Sequence, residues 1–219
     1  AIGTAPFLGL PHATITLASA SVTRQNILLA AGVDFNVAPT AIDETRVRAD
    51  AQAGDMAAEE IAVLLAFLKA QAASQILLPT QSHTKPSYII GCDQLLLIDD
   101  HIMAKPESLT EAKQQLLMLA GKQHGLLSAI VLIRDGQRIW HHLGRAALTM
   151  RKFDDAFADA YIRRVGEAAL WSPGAYQIES VGSSLFARID GDHFDILGLP
   201  LLPLLGILHE HGLRPLEPV

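Results

Sequence analysis

Only one cysteine, Cys92, occurs in the 219 residues. A lone thiol cannot build a disulfide framework, so a reducing, cytoplasmic setting is expected. As a nucleophile Cys92 would need a base and an orienting group beside it, and the simpler reading is a small buried strand residue. Positive charge is also sparse: 17 Lys and Arg stand against 23 Asp and Glu, a formal net charge of -6. That balance gives no electrostatic footprint for duplex nucleic acid or an anionic membrane, so neither partner is expected. A few placed cations can still hold a small anionic ligand. Neither GxGxxG nor GxxxxGK[ST] is present, which counts against Rossmann and P-loop chemistry, and HExxH is missing as well. His209-Glu210-His211 looks like a metal pair, but residues two apart on a helix face different directions.

Long apolar runs are few. Residues 1–12 lack the basic end and continuous apolar core of an export signal and read as an N-terminal arm. The most apolar stretch, 196–208, is too short to span a bilayer and contains Pro200 and Pro203. It reads as a strand end leading into a core helix. Residues 214–219 read as a C-terminal tail, which leaves 13–213 as one domain.

No repeat or low-complexity linker interrupts that domain. Residues 13–17 alternate as a strand does. Ser19-Ala20-Ser21 follows, then a helix over 26–31 ended by Gly32. A strand, a serine-bearing turn and a helix start make a natural anion site, because N–H groups point out of the helix end. A short strand is expected at 34–38 and a long helix at 56–73. Residues 88–98 are β-prone but broken by Gly91-Cys92-Asp93-Gln94, which suggests a bulge or a mid-sheet polar insert. A helix over 110–119 has Thr110 as its expected N-cap. Strands 128–134 and 138–143 flank Asp135-Gly136, a hairpin signal. A helix over 154–165 and strands at 183–189 and 194–197 complete the pattern. Helices and strands alternate while hairpins intrude, so the expected fold is a mixed α/β sheet with helices packed on it.

The polar islands in this apolar chain form a set. Ser19, Ser21 and Arg24 make one, Lys105 before Pro106 another, Asp43-Glu44 a third and Asp93 a fourth. Cations beside carboxylates suit a phosphate ester with a divalent metal, the carboxylates holding the metal and one of them activating water. Each has a plainer reading. Asp43-Glu44 can be a solvated turn. Lys105 can be a surface lysine. Asp93 lies in an apolar run, where an unpaired carboxylate is costly, and it can be catalytic or bonded to backbone amides. His141-His142 reads as surface, and His124 as either structural or ligand-facing.

Taken in order, these islands resemble the Maf family of nucleotide pyrophosphatases, over residues 14–213. LASASVTRQNILLAAG is similar to the family's LASxSPRRxxLLxxxG, and residues 41–44 to its IDE element. The segment 66–70, with Lys69, resembles LAxxKA, and 90–94 resembles IGxD[TQ]. Ala104-Lys105-Pro106 resembles GKP, 119–124 resembles LSGxxH, and 173–179 resembles AGAYxIQ. Gly191-Asp192 with Gly198-Leu199-Pro200 resembles the closing EGDxxxVVGLP.

The resemblance implies an elongated mixed sheet flanked by helices, with two lobes around a central cleft, as in inosine triphosphatases. It implies attack of water on the α-phosphorus of a nucleoside triphosphate, with pyrophosphate leaving. Asp93 is then the general base, Glu44 and Asp93 hold magnesium or manganese, and Ser19, Ser21, Arg24, Lys69 and Lys105 hold phosphates. Gln94 and Glu179 read the base. Glu179 stands where the family has glutamine, and a carboxylate suits the N1–H and N2–H₂ donors of guanine or a cationic 7-methylguanine. In its plainer reading Glu179 is an exposed strand residue. A homodimer is compatible with the resemblance. Two departures, Thr23 for an arginine and Ser172 for a lysine, leave a second reading: a nucleotide-binding regulator of cell division with impaired turnover.

Overall fold

The computed structural model describes residues 13–77, 85–99 and 101–213. The expected arm at 1–12 and tail at 214–219 lie outside the described residues. In chain order come β1 (Thr14–Leu17), α1 (Val22–Ala30), β2 (Asn36–Val37), α2 (Glu44–Ala53), α3 (Ala58–Leu77), β3 (Ser87–Ile98) and β4 (His101–Met103). Then follow α4 (Leu109–Leu119), β5 (Gln123–Arg134), β6 (Gln137–Met150), α5 (Asp155–Val165), β7 (Phe186–Asp190), α6 (His193–Ile196) and α7 (Leu201–Glu210). Three short 3₁₀ turns lie between α5 and β7. The strands form one seven-stranded sheet in the order β2-β1-β3-β5-β6-β7, with β4 paired to β3. β1 runs parallel to both β2 and β3, while β4 lies antiparallel to β3 and β7 antiparallel to β6. This is the mixed sheet with helices that the sequence pattern implies.

The chain divides into two compact units. The first comprises 1–93, 129–143 and 198–219. Its core draws Ile15 and Leu17 from β1, Leu28 from α1, Ile61 and Leu65 from α3, Ile89 and Ile90 from β3, and Leu204 from α7. The chain leaves β1 for β2 on one side and returns as β3 on the other. Such a switch point leaves a crevice at the carboxyl ends of parallel strands, the usual ligand position in α/β sheets. α3 has the length and hydropathy of a membrane span, a test that buried core helices also pass. Its buried residues include the stripe Ala62, Ala66, Ala70 and Ala73, which lets backbone approach backbone. Gly91 of β3 completes that approach, because a Cβ there would run into the Ala66 carbonyl and the Ala70 methyl. The β5–β6 turn has φ 48° at Asp135 and 86° at Gly136, the left-handed pair a two-residue hairpin needs. Asp135 also exchanges two bonds with Ser87, each 2.9 Å.

The second unit comprises 94–128 and 144–197. Leu96, Leu116, Leu119, Leu148, Tyr176 and Phe186 are among the residues of its core. Lys113 bridges α4 to α5 through Asp155 at 2.9 Å and Asp159 at 2.7 Å. His124 is buried, with Nε2 2.8 Å from the Tyr176 hydroxyl and no hydrogen-bond partner for Nδ1. Its ring packs against Tyr176 and Phe186. His124 is therefore a structural residue of this core.

Several local expectations need correction. Residues 88–98 form an unbroken strand, so of the two expectations the mid-sheet polar insert holds and the bulge does not, since Gly91 is there to admit α3. Ser108, not Thr110, caps α4 by accepting the Glu111 N–H at 3.2 Å. Residues 194–197 are not a strand. Asp192 accepts the Phe194 N–H at 2.8 Å and starts the short helix α6, and four residues are too few for periodicity to decide. Residues 183–185 close a 3₁₀ turn before β7 begins. The strand end expected at the start of 196–208 is likewise helix and turn. Pro203 falls in the first turn of α7, where a missing N–H costs little. The helix α2 has no counterpart in the sequence reading, because only Ala51 of its ten residues is buried and no apolar stripe marks it.

Gly91→Ala should lower the unfolding free energy by about 2–3 kcal/mol through overpacking. Urea denaturation checks this, and an unchanged midpoint would show that α3 does not rest on the glycine. His124 supplies a second test. Burial lowers its pKa from 6.5 to about 4, so the unfolded chain binds the extra proton between those values. Stability is then full above pH 6.5 and declines as pH falls toward 4. Between pH 7 and 5 the native protein should lose about 1–2 kcal/mol more than His124→Gln. Parallel slopes for the two proteins would contradict a neutral buried histidine.

Candidate active site

The first unit places its serines at the carboxyl end of β1. Ala18 N–H still bonds the Ile90 carbonyl of β3, and the chain then turns into α1. Ser21 caps the helix by accepting the Arg24 N–H. Ser19 accepts from the Ser21 N–H and from Arg24 Nη1, each at 3.2 Å. The Arg24 guanidinium is held further by the Gly198 carbonyl, 2.8 Å from Nε, and the Cys92 carbonyl, 3.1 Å from Nη1. All three partners are neutral. Among the described residues Arg24 has no direct ion pair, so its positive charge is held at this helix start by neutral groups.

Asp43 and Glu44 separate in role. Asp43 is the N-cap of α2, accepting the Arg46 N–H at 3.0 Å. Glu44, the first residue of the helix, reaches Lys69 of α3, with Oε1 3.0 Å from Nζ. The same ammonium lies 2.5 Å from Asp93 Oδ1 on β3. Lys69 thus bridges two carboxylates from two other elements. Asp93 is 4% exposed, and burial pushes its carboxyl above the usual carboxylate range while Lys69 and Arg24 pull it back. The result is a carboxyl more basic than that of an exposed aspartate, held by one short bond from the Lys69 ammonium. Cys92 beside it is fully buried, and burial raises its thiol to about 11. That leaves it a packing residue and no nucleophile.

Gln94, Lys105 and Glu179 belong to the second unit. Gln94 Nε2 donates to the carbonyls of Asp195 and Ile196 at 3.1 and 3.0 Å, with Ser128 Oγ at 2.9 Å. Carbonyls only accept, so the amide orientation is fixed and Oε1 is left as an acceptor. Lys105 lies in the loop between β4 and α4, exposed, with no bond to a described residue. Glu179 is exposed in the turn that follows the 3₁₀ segment Pro173–Ala175, not on a strand. Ser172 Oγ donates to the Tyr176 carbonyl at 2.5 Å and closes that turn.

The structure therefore brings together Ser19, Ser21, Arg24, Glu44, Lys69 and Asp93, all within the first unit. The sequence reading missed the Gly198 and Cys92 carbonyls that hold Arg24, and backbone acceptors carry no residue-type signal. Among the described residues no group of three His, Cys, Asp or Glu could hold a metal. His211 packs edge-on against Tyr88, and His142 stacks on Trp140. Glu44 and Asp93 meet on the Lys69 ammonium, so two carboxylates are gathered there without a third protein carboxylate, imidazole or thiol among the described residues.

The sequence profile of the Maf-like protein family matches residues 14–211. A nucleoside triphosphate pyrophosphatase of Rhodospirillum rubrum is 45% identical over 198 residues, covering 90% of this chain and 95% of that protein. A 7-methyl-GTP pyrophosphatase of Brucella abortus is 44% identical over 194 residues, 89% of this chain and 94% of that protein. A nucleoside triphosphate pyrophosphatase of Caulobacter vibrioides is 44% identical over 198 residues, 90% and 96%.

Proposed function

This chain belongs to the Maf-like protein family, and from that premise we propose that it hydrolyses a nucleoside triphosphate to the monophosphate and pyrophosphate. The observation that carries the reading is the buried Asp93 bonded to Lys69, which also bonds Glu44. Burying an ion pair costs several kcal/mol per charge before any return. A protein that only binds nucleotide has no use for a buried, water-activating carboxylate, so this pair favours turnover over the regulator reading. Ser172 is no sign of decay either, because its hydroxyl closes a turn.

Asp93 takes the proton from the attacking water. Its raised pKa makes it a stronger base than a solvent-exposed aspartate, and Lys69 keeps it ionised so that it can accept. Arg24, positive and without a carboxylate partner, holds phosphate oxygens, aided by the N–H groups and hydroxyls of Ser19 and Ser21 at the start of α1. Lys69 supplies a further phosphate contact, and the family resemblance gives Lys105 the same role. Glu44 and Asp93 would hold the divalent cation, magnesium or manganese, which when bound neutralises phosphate charge and helps pyrophosphate depart. Gln94 Oε1 and the Glu179 carboxylate accept from a purine edge with donors, which favours guanine or 7-methylguanine over uracil and thymine. The inert, buried Cys92 suits a cytoplasmic setting.

A panel of nucleoside triphosphates assayed separately for pyrophosphate and orthophosphate, with and without EDTA, tests the reaction. Pyrophosphate release abolished by EDTA is expected, and orthophosphate as first product would overturn the assignment. Asp93→Asn keeps shape and removes basicity, so kcat should fall about 100-fold or more while nucleotide binding persists. Near-native turnover in that variant would remove Asp93 as the base. Within the same panel, guanine nucleotides should lead, and Glu179→Gln should flatten or reverse the preference toward pyrimidines. A native preference for UTP or thymidine triphosphate would refute the base assignment and leave the reaction standing.

A further inference from the structure

Gln115 is a buried amide on α4 with both ends used. Its Nε2 donates to the Ala104 carbonyl at 3.1 Å, and its Oε1 accepts the Gly174 N–H at 2.9 Å. One helical turn earlier, Glu111 Oε2 accepts the Glu107 N–H at 2.8 Å. Pro106 between them is buried and has no N–H to give. Lys105 is thus strung between two fixed backbone points while its own side chain stays exposed. The other end of Gln115 grips a turn with left-handed φ at Gly174 (74°) and Ala175 (58°). A Cβ at Gly174 would meet Tyr176, Leu96 and Leu119. The Ser172 bond to the Tyr176 carbonyl and the His124 bond to the Tyr176 hydroxyl fix the rest of that turn, which leads on to Glu179.

We infer that Gln115 is a positioning residue that ties the Lys105 loop to the segment ending at Glu179, so that phosphate and base contacts are held in register for one nucleotide. The inference rests on the proposed substrate contacts of Lys105 and Glu179. Gln115 itself touches no substrate. Methionine would fill its volume with neither donor nor acceptor, releasing both the Ala104 carbonyl and the Gly174 N–H. Glu111→Ala would release the Lys105 loop at Glu107 and the long 3.5 Å contact from Gln115 Nε2 to Glu111 Oε1, while leaving the Gln115 bonds to Ala104 and Gly174 in place.

Steady-state kinetics with GTP, 7-methyl-GTP and UTP separate the possibilities. Glu111→Ala should raise KM several-fold for all three alike and leave base preference intact. Gln115→Met should raise KM about 10-fold and flatten the guanine preference, with kcat falling less. In a Lys105→Ala background, Gln115→Met should add nothing to the KM for UTP but still raise the KM for the guanine nucleotides, and so flatten the preference. A glutamine that merely stabilises the fold would lower kcat for every substrate and leave KM and preference unchanged, and that result overturns the inference. A full further increase in the KM for UTP in the Lys105→Ala background overturns it too, with Lys105 still a phosphate contact. Wild-type KM in Lys105→Ala alone would instead break the site assignment, and the inference with it. Should Gln115→Met fail to fold, amide exchange at Glu107 and Gly174 in the native enzyme decides. The two amides should gain protection together when a non-hydrolysable GTP analogue binds, and protection of one without the other overturns the link.

Discussion

The distance between α3 and β3 is set where a side chain is missing. Gly91 faces the Ala66 carbonyl and Ala70, and the alanine stripe of α3 brings that helix down onto the strand. Lys69 precedes Ala70 by one residue, and Asp93 follows Gly91 by two. The close approach therefore delivers the ammonium to the carboxylate at 2.5 Å. A longer separation would leave a buried aspartate without its cation, a state that costs more than the pair itself returns. Glu44 then completes the group from the start of α2, whose cap, Asp43, fixes where that helix begins.

Charge is spent unevenly in this site. Lys69 answers two carboxylates, while among the described residues Arg24 is held by a hydroxyl and two carbonyls. One cation is neutralised and the other keeps its charge for an outside anion, the part proposed for it above. This explains how a chain with net charge -6 can still present a focused positive point to an anion. The second unit works differently. Its polar groups, Gln94, Gln115, His124 and Ser172, are neutral and nearly all bonded to backbone or to one another, which shapes loops without adding field.

Much of this was legible in the sequence where residue type and spacing carry the physics. The Asp135-Gly136 turn and the alternation of 13–17 follow from left-handed φ and period two, and the helix over 154–165 was legible too, its first expected residue proving to be the cap. Asp93 stood out as a carboxylate inside an apolar run, and its partner Lys69 came from the family resemblance. What escaped was set by tertiary contact. The polar helix α2 shows no apolar face. The run 194–197 is too short for its period to speak. Gly91 resembled a strand breaker, although its role appears only once α3 lies against it. The bonds of Gln94 and Gln115 to carbonyls far along the chain have no trace in local composition.

The bond from Arg24 Nε to the Gly198 carbonyl joins positions 174 residues apart. A ribosome releases the chain from its N-terminus, and segments fold as they emerge. β1, α1 and the serine turn are made early, yet the arginine that belongs to them waits for a segment 174 residues further on. Until that segment emerges its guanidinium lacks one of its anchors. A chain cut between Asp93 and Gly198 would therefore hold Lys69, Asp93 and Glu44 while the arginine at the start of α1 was still incompletely held.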